Sequence, residues 1–364
     1  MPSQERLLNF SAGPAVLPEA VLTQLRDEML SLPGVGMSIL EISHRSAAFE
    51  EILARTQQDL KTLLQVPEGY QLIFLQGGAS LQFSMIPLNF LLRGQCAAYV
   101  DSGSWARKAM VEARREGEIA VVWSGKSEGY RRMPHYDELK MPENPVYLHV
   151  TANETIEGIE LFEDFDSGSV PLICDASSNL LSRPLDVSRY AMIYAGAQKN
   201  MGPAGVTFAL LHDDLLARGR RGLHTMLDYA THVENNSLYN TPPVFAIHTV
   251  GLVARWLLAQ GGLVAMEQLN RQKADLIYTA IDESEGFYQG HAAPESRSRM
   301  NITFRLRQQE LEDLFVREAA ALGMDGLKGH RSVGGIRASI YNAFPLSGVE
   351  TLCALMRDFA RRQA

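Results

Sequence analysis

Lys199 stands in "YAGAQKNMGPAG" (Tyr194–Gly205), a lone cation among small residues directly after an apolar run. A lysine at a strand end is ordinarily a solvated surface charge. Here Gly202 and Gly205 permit backbone that other residues resist, and Pro203 stiffens the turn. The lysine is therefore held among small neighbours that leave room for a flat ligand. A neutral lysine amine condenses with an aldehyde to a Schiff base, the chemistry by which enzymes hold pyridoxal phosphate.

That cofactor makes further demands, and three other stretches could meet them. Its pyridine nitrogen needs an anion, and Asp175 in "LICDASSN" ends a buried strand where its carboxylate could emerge beside Lys199; the alternative for Asp175 is a helix N-cap. Its phosphate needs backbone donors. In "IFLQGGASLQF" an apolar strand runs into Gly77, Gly78, Ala79 and Ser80, which open a helix whose first N–H groups can meet an anion. The stretch is neither a P-loop nor a dinucleotide fingerprint, and a plain strand-to-helix turn is its alternative. Trp105 in "VDSGSWARKA" offers a stacking face, or simply core packing. All four lie at strand ends, where parallel α/β sheets bind ligands.

The elements that must position these residues are legible as periodicity. Short apolar runs, "YQLIFLQ", "QCAAYVD", "NPVYLHV", "VPLICDA" and "YAMIYAGA", alternate with helical or polar stretches, the rhythm of an α/β domain with strands buried on both faces. After "VTFALLH" a long helical pattern, "FAIHTVGLVARWLLAQGG", is stopped by Gly261 and Gly262, and a domain boundary is expected near residue 260. Beyond it, "MNITFRL" and "GIRASIYNAF" alternate like half-buried antiparallel strands among helices, so the second domain is α+β. The last helix carries Ser347 and Glu350 at capping-box spacing and an apolar face of Leu352, Leu355, Met356 and Phe359.

Composition narrows the function classes. The chain has 364 residues, 46% hydrophobic and 21% charged, with a net charge of -8 and scattered basic residues, which disfavours a nucleic-acid partner. Three widely spaced cysteines, Cys96, Cys174 and Cys353, lie in apolar runs and are expected as buried thiols, with neither a disulfide framework nor a metal site. No apolar run approaches the roughly 20 residues of a membrane span, and the start lacks a signal-peptide core, so a cytoplasmic protein with no membrane partner is expected.

Together, "NFSAGPAVLPEAV", "EISHRS", "QGGASLQF", "NETIEGIE", "SRPLDVSRYAMIYAGAQKNMGPAG", "YNTPP", "SRMNITF" and "LKGHRSVGGIRASIYNA" resemble the phosphoserine aminotransferase family of fold-type-I, class V pyridoxal-phosphate enzymes, nearly from end to end. The resemblance implies an α/β large domain with a mostly parallel seven-stranded sheet over residues 16–260. A smaller α+β domain would comprise 261–364 together with 1–15. It implies reversible transamination of 3-phosphohydroxypyruvate with glutamate to phosphoserine and 2-oxoglutarate, in serine biosynthesis. It leaves open a second substrate of vitamin B6 synthesis, 3-hydroxy-2-oxo-4-phosphooxybutanoate.

By the same resemblance Lys199 is the Schiff-base lysine and the general base, and Asp175 pairs with the pyridine nitrogen. Trp105 stacks on the ring, Thr155 bonds its phenolic oxygen, and Ala79, Ser80 and Gln198 bind its phosphate. Asn240 and Thr241 would reach the phosphate in the other subunit of a homodimer. Arg337 would grip the substrate α-carboxylate, a planar pairing that lysine cannot reproduce. His330, Arg331 and Arg45 would form the pocket for substrate phosphate. Some members carry an arginine where this chain has Ser80, a contact to substrate phosphate that is missing here. The rival readings are a cysteine desulfurase, an alanine–glyoxylate aminotransferase, or a non-catalytic pyridoxal-phosphate-binding protein. A desulfurase needs an exposed thiolate, and no cysteine lies in a Gly/Ser-rich loop.

Overall fold

The computed structural model describes residues 6–331 and 333–363; the ends of the expected small domain, residues 1–5 and 364, and residue 332 lie outside the described residues. The apolar runs form one seven-stranded sheet. Its strands are β1 (Tyr70–Leu75), β2 (Cys96–Asp101), β3 (Glu118–Ser124), β4 (Leu148–Thr151), β5 (Leu172–Asp175), β6 (Met192–Gly196) and β7 (Thr207–His212). In space the order is β1-β7-β6-β5-β4-β2-β3. Only β7 runs against its neighbours β1 and β6, whereas β2, β3, β4, β5 and β6 pair in parallel. The absence of apolar/polar alternation has a direct cause. Along β5 and β6 one set of side chains, Cys174 with Ile193 and Ala195, enters one core, and Ile173 with Met192 and Tyr194 enters the core on the other face. β3 adds a strand to those expected, an edge strand with Glu118 and Ser124 exposed.

Helices α1 (Ala47–Leu64), α2 (Gly78–Phe90) and α3 (Ser104–Ala113) belong to this layer, as does α4 (Val244–Ala259), which ends at Gly261 in the left-handed region. α5 (Gly262–Asp282) then passes between two cores. Leu263 and Met266 pack with the large sheet, while Ala274, Ile277 and Ile281 pack with a separate core. That second core is built on the antiparallel sheet of β8 (Tyr288–Gly290), β9 (Asn301–Leu306) and β10 (Ile336–Ser339), covered by α6 (Glu310–Ala321) and α7 (Leu346–Gln363). Residues Leu8–Asn9 pair with Met324–Asp325 in a separate two-stranded sheet, and Phe10 O accepts from Ser339 N at 3.2 Å, which ties the N-terminal segment to β10.

Two local expectations are corrected. α7 begins at Leu346, with the Pro345 carbonyl accepting from Gly348 N–H at 3.1 Å, so Ser347 lies within the first turn and is not the N-cap. The apolar face of α7 is as expected, with Leu352, Leu355, Met356 and Phe359 all buried. Cys174 and Cys353 are buried free thiols, but Cys96 opens β2 at the rim of the sheet and is partly exposed.

Close helix contact beneath the sheet depends on a glycine. A Cβ at Gly251 on α4 would run into Thr56 Oγ1 on α1, a hydroxyl committed to Ile52 O at 2.8 Å. Gly251→Ala is expected to cost about 1–3 kcal/mol by overpacking. Much of that loss should be recovered in the Thr56→Ala background, as read by denaturant unfolding of the single and double variants; equal losses in both backgrounds would place the strain elsewhere.

Candidate active site

Five strand ends meet at one edge of the large sheet. β6 stops at Gly196 and delivers Gln198 and Lys199. The segment after β4 delivers Thr155, and Lys199 Nζ donates to Thr155 Oγ1 at 2.6 Å. Burial pulls the Lys199 ammonium down to about 8; Asp175 and Glu154 oppose the shift, while Arg337 and Lys108 add to it. Near neutral pH a usable share of this amine is therefore unprotonated, the form that can act as nucleophile or base.

Asp175 closes β5, almost fully buried. No helix follows it, so it is not an N-cap of one; its Oδ1 instead accepts from Ser177 N at 2.9 Å and Ser177 Oγ at 2.6 Å. Burial raises the Asp175 carboxyl above its ordinary range, and the Lys199 charge and the Ser177 bonds pull it back toward ionisation. Ser177 Oγ also accepts from Gly196 N at 3.1 Å, which fixes the end of β5 against the end of β6.

Two long helices start at this edge, and they treat their free N–H groups differently. At α3 the donors are taken. Trp105 N and Ala106 N each donate to Glu154 at 2.9 Å, and Ser104 N donates to Glu157 at 2.9 Å. The carboxylates come so near that a Cβ on Gly103 would stand 2.7 Å from Glu154 Cδ and 2.9 Å from Glu157 Cδ. At α2 no side chain caps the helix; Gly77 and Gly78 both adopt left-handed φ, 87° and 65°, and aim the first turn with Ala79 and Ser80 outward. α2 is thus the open anion cradle of the pair. Capping of α3 also sets Trp105, whose ring centroid lies 5.0 Å from Lys199 Nζ and 4.0 Å from Lys108 Nζ. Gln198 folds back over Gly196, where a Cβ would meet its Oε1 at 2.8 Å.

Arg337 comes from the smaller sheet. It pairs in register with Thr303 on β9, between buried Ile336 and Ala338, so the strand alternation turns its side chain away from the core. With His330, Arg107, Glu157 and Thr303 it lines a cavity of about 230 Å³ between the two sheets. Burial and then the charges of Arg337, Arg331 and Lys108 hold the His330 imidazole below its ordinary pKa. Trp105 Nε1 and Arg337 Nε are buried with no hydrogen-bond partner.

Not every expected residue reaches this centre. Arg331 is exposed and does not line the cavity. Arg45 is exposed one residue before Ser46, the N-cap of α1. Asn240 donates toward Gln76 Oε1 at 3.5 Å, after the end of β1, and Thr241 is exposed in a segment outside any helix or strand. Residues beyond the sequence expectations are Glu154 and Glu157, which flank Thr155 in "NETIEG", and Arg107 and Lys108. The i, i+3 spacing of Trp105 and Lys108 on a helix was the available signal for the last.

A buried amine of lowered pKa, a buried carboxylate held by Ser177, an indole beside the amine and an uncapped helix N-terminus suit pyridoxal phosphate in each of its chemical parts. The fold and site define a fold-type-I transferase with a pyridoxal-phosphate type of centre. The model of the aminotransferase class-V family matches residues 7–352, and the chain belongs to that family. Within it, the chain is 51% identical over 99% of its length to the whole of a phosphoserine aminotransferase from Geobacillus kaustophilus (strain HTA426). Among solved structures, phosphoserine aminotransferase from Bacillus circulans subsp. alkalophilus superposes with a TM-score of 0.97 at 51% identity, covering 99% of this chain and 100% of that one. The phosphoserine aminotransferase of Trichomonas vaginalis, described as bound to pyridoxal phosphate, gives a TM-score of 0.90 at 39% identity over 97% of this chain and 100% of that one.

The depressed Lys199 pKa makes a measurable claim about the cofactor-free protein. Competitive acetylation of Lys199, followed by mass spectrometry, should rise with pH and level off around a midpoint near 8. In Asp175→Asn the midpoint should move lower, since the anion that favours the ammonium is gone. A midpoint in the ordinary lysine range near about 10.4 would contradict the burial described here.

Proposed function

We propose that this chain is a pyridoxal-phosphate-dependent phosphoserine aminotransferase. It would interconvert 3-phosphohydroxypyruvate plus glutamate with O-phospho-L-serine plus 2-oxoglutarate. The observation that carries the reading is the buried Lys199 amine, placed between a buried carboxylate and a cation-lined cavity that contains Arg337. Full-length relatives of that name support the choice of substrate. The division of labour follows the two cores, with residues 16–260 as the cofactor domain and 261–364 with the N-terminal segment as the small domain.

The cofactor supplies an electron sink that stabilises negative charge at the α-carbon of the amino donor. Lys199 would hold the cofactor through its amine and, when that amine is free, would take the α-proton; a pKa of about 8 suits a base that must also return it. Asp175, kept toward its ionised form by the Lys199 charge and by Ser177, would hold a proton on the pyridine nitrogen. Trp105 would cover the ring, Thr155 would meet its phenolic oxygen, and the open N-terminus of α2 with Ala79, Ser80 and Gln198 would take the phosphate. Arg337 orients the α-carboxylate by a fork-to-fork pair. His330, Arg331 and Arg45 meet the phosphate of the substrate, and Asn240 and Thr241 complete the cofactor phosphate site from the second subunit. A cytoplasmic homodimer is part of the proposal, and among the described residues no single helix is long and apolar enough to cross a membrane.

Supplying the purified holo-protein with phosphoserine and 2-oxoglutarate should yield glutamate, far faster than alanine with glyoxylate yields glycine. The reverse preference would move the chain to another branch of the class. For the substrate phosphate, Arg331→Ala should lower kcat/KM for phosphoserine roughly ten- to a hundredfold, the worth of one charge-assisted hydrogen bond, and leave the glutamate half-reaction nearly unchanged. Equal losses with both donors would make Arg331 structural.

Shared sites make a separate claim. Lys199→Ala removes the amine, and Thr241→Asp would repel the cofactor phosphate, so each homodimer should be inactive. The isolated heterodimer would hold one site with both lesions and one with neither, and should recover about half of the wild-type rate per dimer. An inactive heterodimer built from folded parents would show that each site is complete within one chain.

A further inference from the structure

Lys199 and Arg337 stand on different sheets, so something must fix one relative to the other. Buried polar groups converge on the segment that follows β10. Lys273 of α5, fully buried, donates to the carbonyls of Ile340 at 2.9 Å, Tyr341 at 2.8 Å and Phe344 at 3.3 Å. About one turn earlier on α5, Asn270 donates to Asn342 Oδ1 at 2.8 Å and to Ser182 O at 3.0 Å. Asn342 donates its side-chain amide to Leu181 O at 2.8 Å and its backbone N–H to Asn200 Oδ1 at 3.0 Å. Asn200 follows Lys199 directly, and its own amide donates to Leu180 O at 2.7 Å. Asn200, Asn270 and Asn342 are all buried. The Asn342 N–H bond to Asn200 joins the Lys199 turn directly to the segment carrying Arg337, whereas Gln198 O and Tyr341 OH are linked only by way of the N-terminal segment, through Ala15 N at 2.9 Å and Ala12 O at 2.8 Å.

We propose that Asn200 and Asn270 are positioning residues that lock the Lys199 turn to the Arg337 strand through Asn342, and so set where the substrate α-carboxylate is held relative to the amine. The proposal rests on the roles of Lys199 and Arg337 given above. Removing the Asn200 acceptor leaves the Asn342 N–H buried without a partner, and relaxation of that strain shifts residues 340–344 and the β10 end with them. A displacement on the order of 1 Å between a substrate clamp and a reacting group can cost about a hundredfold in rate, whereas the residues that would hold pyridoxal phosphate come from the large sheet, on one side of the lock. Asn270 hydrogen-bonds to neither Lys199 nor Arg337, and its bond to Asn342 is its link to the segment that carries Arg337.

The test is a double-mutant cycle on the holo-protein with Asn200→Ala and Asn270→Ala. Each variant should raise KM for phosphoserine and for glutamate alike by about tenfold, because both donors present the same α-carboxylate, and the double variant should be little worse than either single one. Affinity of the cofactor-free protein for pyridoxal phosphate, read by tryptophan fluorescence, should stay within about twofold of wild type. Asn200→Asp, which keeps an acceptor for the Asn342 N–H, should restore much of the KM and carries the test if Asn200→Ala does not fold. The proposal is overturned if melting temperatures fall while KM is unchanged, if the two effects multiply, or if cofactor affinity falls as far as KM rises. Arg337→Ala serves as the control: if it leaves KM unchanged, the assignment of Arg337 fails and takes the lock with it.

Discussion

Removing a lysine from water is the constraint around which the rest of the site is arranged. A solvated ammonium at the end of β6 would be inert as a base near neutral pH, and an uncompensated buried one would be too costly to keep. The protein settles between these limits. Burial lowers the Lys199 pKa to about 8, and Asp175 and Glu154 prevent it from falling further. The same burial that makes Lys199 reactive raises Asp175, and Ser177 is present to hold that carboxylate down. Each buried charge thus requires a neighbour, and the neighbours come from the ends of three adjacent strands, β4, β5 and β6.

The helix termini show how the sheet edge allocates its positive ends. With two uncapped helices, an anionic ligand would face two competing cradles. Glu154 and Glu157 fill the α3 cradle permanently, and burial together with the Glu157 charge raises the Glu154 carboxyl above its ordinary range against three donors. The cost of holding that acidic pair is offset by a fixed α3, and with it a fixed Trp105. α2, opened by two left-handed glycines, stays available.

Residues that carry a local signature were readable from the sequence. Lys199, Asp175, Trp105 and the glycine turn each sit just after an apolar run, and parallel-sheet geometry brings such ends together without further information. The roles of Glu154, Glu157 and Asn342 were not readable, because each depends on partners 48 to 161 residues away. Ser347 shows the opposite failure, a strong local signature displaced when Pro345 starts the helix a turn's fraction earlier. Arg45 and Thr241 are exposed and Asn240 is only partly buried, so nothing within the single chain gives them a role. Cys96 was misjudged because an apolar run does not reveal which of its ends meets solvent.

The one reversed strand of the large sheet has a consequence for how this site tolerates change. Since β7 returns directly alongside β6, from Thr207 paired with Gly196, Lys199 sits on a closed hairpin instead of on a crossover between layers. Both stems of that hairpin are stitched into the sheet interior, with the partner of β7 on its far side, β1, leading into the glycine turn of α2. An added or deleted residue between Gly196 and Thr207 therefore has no slack to enter: it must either bulge the turn that carries the amine or slide β7, and with it the strand that aims the anion cradle. Length variation should be absent from this hairpin and free to accumulate in the crossovers on the opposite edge, so the height of the amine above the sheet is kept by strand register and not by the loop that displays it.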